Sequence, residues 1–188
     1  DMECMPLPCE WRERLGRIPQ RFGMLLFGVP GSLKTTLLLL LAFVLSKISP
    51  VLFVAAEEGQ SNSVIEKIKR LEIQSTNLFV SSAVNATEML ADLNKLPNCK
   101  FLFLDSVQAF NISLIELSQI SEQFGLGVAV SCHAVKDGSL YRGPADLAHW
   151  VDLIIRCENG VANVQKNRFG PLKSWKILAE IENNVSAT

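Results

Sequence analysis

The chain has 188 residues and carries 18 Lys and Arg against 19 Asp and Glu, which gives a formal net charge of −1. This length suits one domain with a single core. The near-neutral charge excludes a globally basic nucleic-acid binder, so any nucleic acid would have to bind to a local basic loop or in a channel formed by assembly. Hydrophobic residues make up 48% of the chain, so we expect elements that are buried on more than one face.

Two other classes of protein are disfavoured. The longest apolar run, residues 37–45, is far shorter than the roughly 20 residues that cross a bilayer, and we interpret it as a buried helix in a protein without a membrane partner. The five cysteines form no C-x-x-C pair, which favours reduced thiols in the cytoplasm over a zinc site. The first residues show no leader pattern, so we expect no secretion.

Strand-like and helix-like segments alternate along the chain. Residues 1–21 have scattered prolines and no sustained period, and we interpret them as an N-terminal arm with a helical turn around 11–15. Continuous apolar runs then follow, as strands covered on both faces of a parallel sheet require. Strands are predicted at 22–28, 51–56, 77–82, 100–106, 127–132 and 151–157, and helices at 34–47, 61–71, 86–96 and 111–124.

This alternation predicts an α/β fold of three layers around a mostly parallel central sheet. The last portion, "GVANVQKN" and "SWKILAEI" on either side of "RFGP", is typical of a β-hairpin that extends the sheet. We therefore predict a core domain at 22–183, preceded by the arm and followed by a polar tail at 184–188.

A phosphate-binding loop, the P-loop or Walker A motif, is nearly spelled out by "GVPGSLKTT". A strand leads into this segment and an apolar helix leads out, which is the context the motif requires. Its N–H groups would surround the β-phosphate of ATP, with Lys34 bridging the β- and γ-phosphates and the Thr35 hydroxyl bound to Mg²⁺. The candidate nucleotide-binding residues are Gly28, Val29, Pro30, Gly31, Ser32, Leu33, Lys34, Thr35 and Thr36.

Leu33 stands where the G-x-x-x-x-G-K-[ST] pattern has its second glycine. If the loop requires a positive φ there, a leucine costs about 1 to 2 kcal/mol. Since about 1.4 kcal/mol is tenfold in affinity, that penalty weakens nucleotide binding without abolishing it. An ordinary Gly-Pro turn between strand and helix is the alternative interpretation of the segment.

Acidic residues follow two of the predicted strands. Asp105 ends "KFLFLDS", where a carboxylate would orient the water shell of Mg²⁺. Glu57 and Glu58 follow "VLFVAA" at the carboxyl end of a strand, where ligands gather in open α/β sheets. We prefer Glu57, which is nearer to the strand, as the general base for the attacking water. The other glutamate would complement a helix dipole.

Between residues 131 and 170 the sequence resembles the RadA/Sms family of bacterial RecA-like P-loop ATPases. The matching motifs are "HAVKDG" from His133, "GPADLAHWVD" at 143–152 and an intact "KNRFG" at 166–170. The similarity runs from about residue 22 to 170 and covers the motor core alone. The zinc module and the Lon-protease-like domain of that family are matched by no part of the sequence.

The resemblance implies an ATP- and Mg²⁺-dependent ATPase that acts on DNA, in recombination or helicase-type remodelling, as a hexameric ring or filament. In hexameric relatives a K-x-R pair reaches the γ-phosphate held by the neighbouring subunit, which assigns Lys166 and Arg168 to that role. Two solvated cations at a hairpin edge are the alternative. His133 would sense the γ-phosphate, or is a strand-end histidine with a structural partner.

The loop after His133 is the candidate contact for single-stranded DNA. Lys136 and Arg142 offer phosphate contacts, and Tyr141 between them offers one stacking ring. A single loop of this kind binds weakly, so DNA binding depends on assembly. Two other functions stay open: a nucleotide-responsive binding module whose hydrolysis Leu33 has weakened or removed, and a small-molecule kinase, for which the segment 133–146 supplies only one lid arginine.

Overall fold

The computed structural model of the protein describes residues 4–56, 60–135, 140–142 and 146–178. The helices are α1 (Cys9–Leu15), α2 (Lys34–Ser46), α3 (Gln60–Arg70), α4 (Ala86–Asn94), α5 (Val107–Phe110), α6 (Leu114–Phe124) and α7 (Leu147–Trp150). The strands are β1 (Gly23–Gly28), β2 (Val51–Ala55), β3 (Leu78–Ser81), β4 (Phe101–Asp105), β5 (Gly127–His133), β6 (Leu153–Glu158), β7 (Val161–Asn167) and β8 (Ser174–Lys176). None of these helices is long and apolar enough to span a membrane.

All eight strands belong to one sheet in the order β3-β2-β4-β5-β1-β6-β7-β8. The six strands from β3 to β6 are parallel, and β7 and β8 add on antiparallel to β6 and to each other. The predicted α/β fold with a C-terminal hairpin is therefore confirmed. Because β4, β5 and β1 are neighbours, Asp105, His133 and Gly28 end at the same edge of the sheet.

The sheet separates the core into two apolar clusters, where the sequence predicted one. The leucines of α2 pack on one face with β-strand residues such as Phe53 and Phe103, whose rings stack at 6.3 Å. Residues of α4 and α6, including Met89 and Leu117, cover the other face. Strands β1, β2 and β4 are buried along their whole length, as their continuous apolar runs require.

Two predicted elements differ from the structure. The helix predicted over 111–124 begins only at Leu114, where Ser113 caps α6 with a capping box to Glu116. A separate short helix, α5, precedes it and was not predicted, and Asn111 ends α5 in the left-handed region at φ 50°. The strand predicted at 77–82 is an edge strand rather than a fully covered one. Its Phe79 and Val80 are both 37% exposed.

The N-terminal segment is more than an arm. Helix α1 spans two turns, and its Trp11 and Leu15 are buried in the same apolar cluster as α2. At the end of α1, Gly16 has φ +82°, and a Cβ there would lie 2.5 Å from the Cα of Gly170. Residues 4–21 thus pack as part of the core, and the predicted tail at 184–188 lies outside the described residues.

Candidate nucleotide-binding site

The predicted P-loop connects the end of β1 to the start of α2, and its glycines have separate reasons to be there. A Cβ on Gly28 would lie 2.2 Å from the carbonyl oxygen of Cys157 on β6, so no larger residue fits. Gly31 has φ +78° and nothing lies within 4 Å of its Cβ position, so it faces open space. Gly28 is therefore required by packing, and Gly31 is required by its backbone conformation.

Leu33 has the left-handed conformation that its position in the motif suggests, with φ 68° and ψ 22°. The side chain is half-buried and packs against the α2 cluster. Its Cδ1 lies 3.9 Å from the Cβ position of Gly160, in the turn between β6 and β7. The leucine therefore keeps the backbone geometry of a glycine, and its side chain points at the hairpin turn, where apolar packing offsets part of the conformational cost.

Lys34 places a positive charge across the loop. Its Nζ donates a hydrogen bond to the carbonyl oxygen of Val29 at 2.9 Å, and the residue is only 8% exposed. The nearby Ser32 hydroxyl is buried and has no hydrogen-bond partner within the described part of the chain. A buried ammonium and an unsatisfied hydroxyl beside an open glycine fit a bound phosphate group, which would accept from both.

Thr35 and Asp105 form the centre of the site. The Thr35 hydroxyl donates to one Asp105 carboxylate oxygen at 2.7 Å, and the Ser131 hydroxyl donates to the other. Asp105 is 3% exposed, and the peptide bond that follows it is cis. The described residues hold no group of three or more His, Cys, Asp or Glu that could bind a metal by itself. A hydroxyl beside a carboxylate, as at Thr35 and Asp105, suits Mg²⁺, which keeps several waters and needs only one or two protein ligands beside the phosphates.

Two residues that the sequence analysis missed belong to this edge of the sheet. Ser131 contacts Asp105, and Gln108 of α5 accepts a hydrogen bond from the main-chain N–H of His133 at 3.3 Å. The signal for Ser131 was its place two residues before His133 on a strand next to β4. Gln108 follows Asp105 by three residues, but no sequence pattern indicates where its amide points.

The candidate DNA-binding residues are only partly described. The Tyr141 ring packs edge-on against Phe27 at 6.0 Å, and its hydroxyl accepts a hydrogen bond from the Ala148 N–H at 3.2 Å. Arg142 is exposed. Tyr141 therefore anchors the loop against the core, and its role in base stacking stays a prediction. Lys136 and both glutamates, Glu57 and Glu58, lie outside the described residues.

The two cations of "KNRFG" each contact their own chain. Lys166 donates hydrogen bonds to the carbonyl oxygens of Ala148 and Val151, at 2.7 and 2.6 Å. Arg168 pairs with Asp152 at 3.0 Å and its side chain is 54% exposed. Burial lowers the pKa of Lys166, and the Arg168 guanidinium lowers it further, while Asp152 opposes the shift. These contacts place the pair at the amino end of β6, away from the P-loop.

The rest of the "KNRFG" motif binds the N-terminal segment. The Asn167 side chain donates to the carbonyl oxygen of Leu15 at 3.1 Å, and its oxygen accepts from the Phe169 N–H at 2.9 Å. The Gly170 backbone lies against Gly16. The asparagine and glycine of the motif thus have structural reasons of their own, separate from any role in catalysis.

Two buried thiols lie beside the P-loop, on the strands that flank β1. Burial raises the pKa of Cys132 and of Cys157 to about 12, although the Lys34 charge opposes the shift at each. Both thiols therefore stay protonated at neutral pH, and we assign them to packing rather than to nucleophilic chemistry.

Comparisons with known proteins agree with this geometry. A DNA repair protein RadA from Chlamydia trachomatis is 30% identical over 203 residues, which cover 92% of this chain and 44% of that protein. A RadA from Aquifex aeolicus is 31% identical over 168 residues, covering 78% of this chain and 37% of the relative. This chain thus spans less than half the length of these relatives. No protein-family model matches it.

Among solved structures, a KaiC-like protein from Pyrococcus horikoshii superimposes with a TM-score of 0.64 at 17% identity, covering 93% of this chain and 94% of that one. An ATPase domain superimposes with a TM-score of 0.61 at 16% identity. Identities this low show the fold alone, and that fold is RecA-like. Taken with the sequence relatives, it shows that the chain is a RecA-like core that is similar, over most of its length, to part of the RadA proteins.

Proposed function

We propose that the protein binds and hydrolyses ATP with Mg²⁺ and acts on DNA as a homo-oligomer. The observation that carries this proposal is the 2.7 Å hydrogen bond between Thr35 and Asp105, beneath a loop that the Lys34 ammonium already spans. Lys34 and the P-loop amides would hold a nucleotide that supplies the phosphoryl group, and Thr35 and Asp105 would hold a metal ion that could neutralise the developing charge. The curated relatives are named DNA repair proteins, which supports DNA as the partner.

Nucleotide binding is tested by calorimetry with Mg²⁺ and ATP. Thr35→Val keeps the size of the side chain and removes the hydroxyl, so it should weaken binding in the presence of Mg²⁺ by about tenfold or more, with little effect in EDTA. Thr87→Val, at an exposed position in the first turn of α4, is the control substitution of the same kind and should bind as the unsubstituted protein does. Absence of binding heat at millimolar ATP in the unsubstituted protein would refute the proposal.

Glu57 is our proposed general base. Ala56, the residue before it, donates its N–H to the carbonyl oxygen of Asp105 at 2.8 Å, so the chain leaves β2 directly beside the proposed Mg²⁺ carboxylate. We expect Glu57→Gln to bind Mg²⁺ and ATP normally and to lose most hydrolysis, because the amide cannot accept a proton from water. Glu58→Gln is the matched control. If Glu58→Gln loses hydrolysis instead, the roles of the two glutamates are exchanged.

Lys166 and Arg168 are proposed to act on the nucleotide of a neighbouring subunit. In this chain they lie on either side of Asn167, the antiparallel partner of Leu153. Leu153 pairs with Met24 near the start of β1, whereas the P-loop follows Gly28 at the end of that strand. Four residues of strand separate these ends by about 13 Å. A guanidinium held there is too far away to touch the phosphates of its own loop, which supports a role across a subunit interface.

A mixing experiment tests this arrangement. Arg168→Ala should bind ATP and fail to hydrolyse it, while Lys34→Ala should fail to bind. In an equal mixture that assembles at random, about a quarter of the interfaces combine an intact P-loop with an intact Arg168, so activity should reappear. Arg17→Ala, which alters an exposed arginine in the same region, should keep full activity. A mixture that stays inactive although the subunits co-assemble would contradict the role across the interface.

DNA action is proposed to depend on assembly, because one exposed Arg142 per chain makes a weak contact and several around a ring or filament make a strong one. The test is the rate of ATP hydrolysis with and without single-stranded DNA, read with the mass in solution. We expect stimulation that falls as salt rises, since phosphate contacts release counterions. Stimulation by DNA in a strictly monomeric sample would separate DNA action from assembly.

A nucleotide-responsive binding module without turnover is the second candidate, and the left-handed Leu33 is the observation that favours it. In this candidate function, a strained residue beside the phosphates lowers the precision with which the γ-phosphate is held, so that ATP binds without being hydrolysed. This candidate predicts saturable ATP and ADP binding with no phosphate release under any DNA or assembly condition. Release of phosphate that Lys34→Ala abolishes would exclude it.

A further inference from the structure

Gln108 joins three parts of the site that the sequence leaves separate. Its side-chain oxygen accepts the N–H of His133 at 3.3 Å, its amide nitrogen donates to the carbonyl oxygen of Arg142, and it lies within hydrogen-bonding reach of the Cys132 thiol. Gln108 is itself on the first turn after Asp105, in α5. One exposed amide thus contacts the end of β5 and the segment that carries the candidate DNA-binding arginine.

Two hydrogen bonds make β5 and the Asp105 turn a single unit. Ser131 holds the Asp105 carboxylate, and two residues further along β5 His133 is held by Gln108. Beyond the strand, the N–H of Arg142 donates to the carbonyl oxygen of His133 at 2.7 Å, so the chain returns on itself there. Movement of the Asp105 turn would therefore displace both His133 and Arg142, because each is bonded to Gln108.

These contacts form a continuous path from the phosphate site to the candidate DNA loop. It starts at the Thr35 hydroxyl, passes through Asp105 to α5, and reaches Arg142 through Gln108. Other contacts fix the loop without involving the nucleotide site, notably the packing of Tyr141 on Phe27. Gln108 is the member of the path whose side chain bonds both strand and loop, so its removal breaks the path without touching the P-loop.

We propose that Gln108 is a positioning residue that couples occupation of the phosphate site to the main-chain positions of His133 and Arg142. The inference rests on the proposed function, since it assumes that a nucleotide binds at the P-loop. Energetic coupling requires an element with two arrangements that both sites bias. Here that element is the main chain at His133 and Arg142, with Gln108 bonded to it in one arrangement and released from it in the other.

The test is hydrogen exchange of the His133, Ala134 and Arg142 amides in four proteins: the unsubstituted chain, Gln108→Ala, Gln108→Glu and the control Gln119→Ala, which alters an exposed glutamine of α6. Gln108→Glu keeps the acceptor for His133 and loses the donor for Arg142, so it separates the two halves of the contact. Without nucleotide, Gln108→Ala should exchange about tenfold faster at these amides, since each lost hydrogen bond lowers the local opening free energy. Gln119→Ala should exchange as the unsubstituted protein does.

With Mg²⁺ and a non-hydrolysable ATP analogue, exchange at the three amides should change in the unsubstituted protein and stay constant in Gln108→Ala. The affinity for the analogue, measured by calorimetry on the same samples, should differ by less than about threefold between the two. A Gln108→Ala protein whose exchange equals that of the unsubstituted chain without nucleotide, or responds to the analogue as that chain does, overturns the inference. Absence of analogue binding to the unsubstituted protein would instead overturn the proposed function. The comparison of exchange rates without nucleotide, between Gln108→Ala and the unsubstituted chain, would still test whether Gln108 holds His133 and Arg142.

Discussion

Replacement of Leu33 separates the cost of its backbone conformation from the value of its packing. Leu33→Ala keeps a side chain in the left-handed region and deletes the half-buried contact with the hairpin turn. That loss should destabilise the fold by about 1 to 2 kcal/mol, since the side chain is only partly buried. Leu33→Gly loses the same contact, but it also relieves the strain of the left-handed conformation, which raises stability by about 1 to 2 kcal/mol. The greater chain entropy of glycine in the unfolded state lowers stability by about 0.5 to 1 kcal/mol.

The balance predicts that Leu33→Gly is about 0.5 to 1 kcal/mol more stable than Leu33→Ala. With an m-value of about 2 kcal/mol per molar urea, this difference moves the unfolding midpoint by roughly 0.25 to 0.5 M, which urea titration resolves. Leu172 provides the matched control, because it is 65% exposed and does not have a positive φ. There the glycine variant should be less stable than the alanine variant.

The same pair of variants also bears on the nucleotide. Because Leu33 already has the φ of a glycine and directs its side chain at Gly160, Leu33→Gly should change the Kd for ATP by less than about threefold. If Leu33→Gly proved less stable than Leu33→Ala, the left-handed strain assigned to this position would be absent. A gain in affinity of tenfold or more would show that the leucine obstructs the phosphate rather than packing away from it.

Three further results are expected. Gly28→Ala should abolish folding or lower stability by several kcal/mol, because its Cβ would lie 2.2 Å from a Cys157 main-chain oxygen that no rotamer change can move. Circular dichroism during urea titration measures the unfolding midpoint, and a midpoint equal to that of the unsubstituted protein would contradict this prediction. In native protein at pH 8 an alkylating reagent should modify the exposed Cys4 and Cys9 and leave Cys132 and Cys157 unmodified until urea is added; rapid native labelling of either buried thiol would contradict their burial. Since their folded pKa of about 12 lies above the unfolded value of about 9, the unfolded chain loses these protons first. Their stabilising contribution is then complete well below pH 9 and falls as pH rises, so the stability of the unsubstituted chain relative to the double alanine variant should drop by about 3 kcal/mol between pH 8 and 10.

The P-loop lysine and threonine and the strand-end aspartate were predicted from local patterns, because each depends on a short segment and its immediate neighbours. The apolar runs around Leu25 and Phe103 carry the signal for strands covered on both faces, and that signal alone leads to a parallel sheet. The resemblance added the roles of Lys166 and Arg168. The short helix α5 and the later start of α6 were missed, although an asparagine followed two residues later by a capping serine is a local signal for the turn between them.

Periodicity and motif spacing are local properties of the sequence, and they were enough to determine the fold class and the order of the strands. They also predict the phosphate loop. Only the tertiary structure decided that Leu33 packs on the turn at Gly160 and that Gln108 meets Arg142. Those contacts join residues 127 and 34 positions apart. Their geometry depends on how strands that are distant in the chain lie side by side in the sheet, and no local pattern encodes that placement.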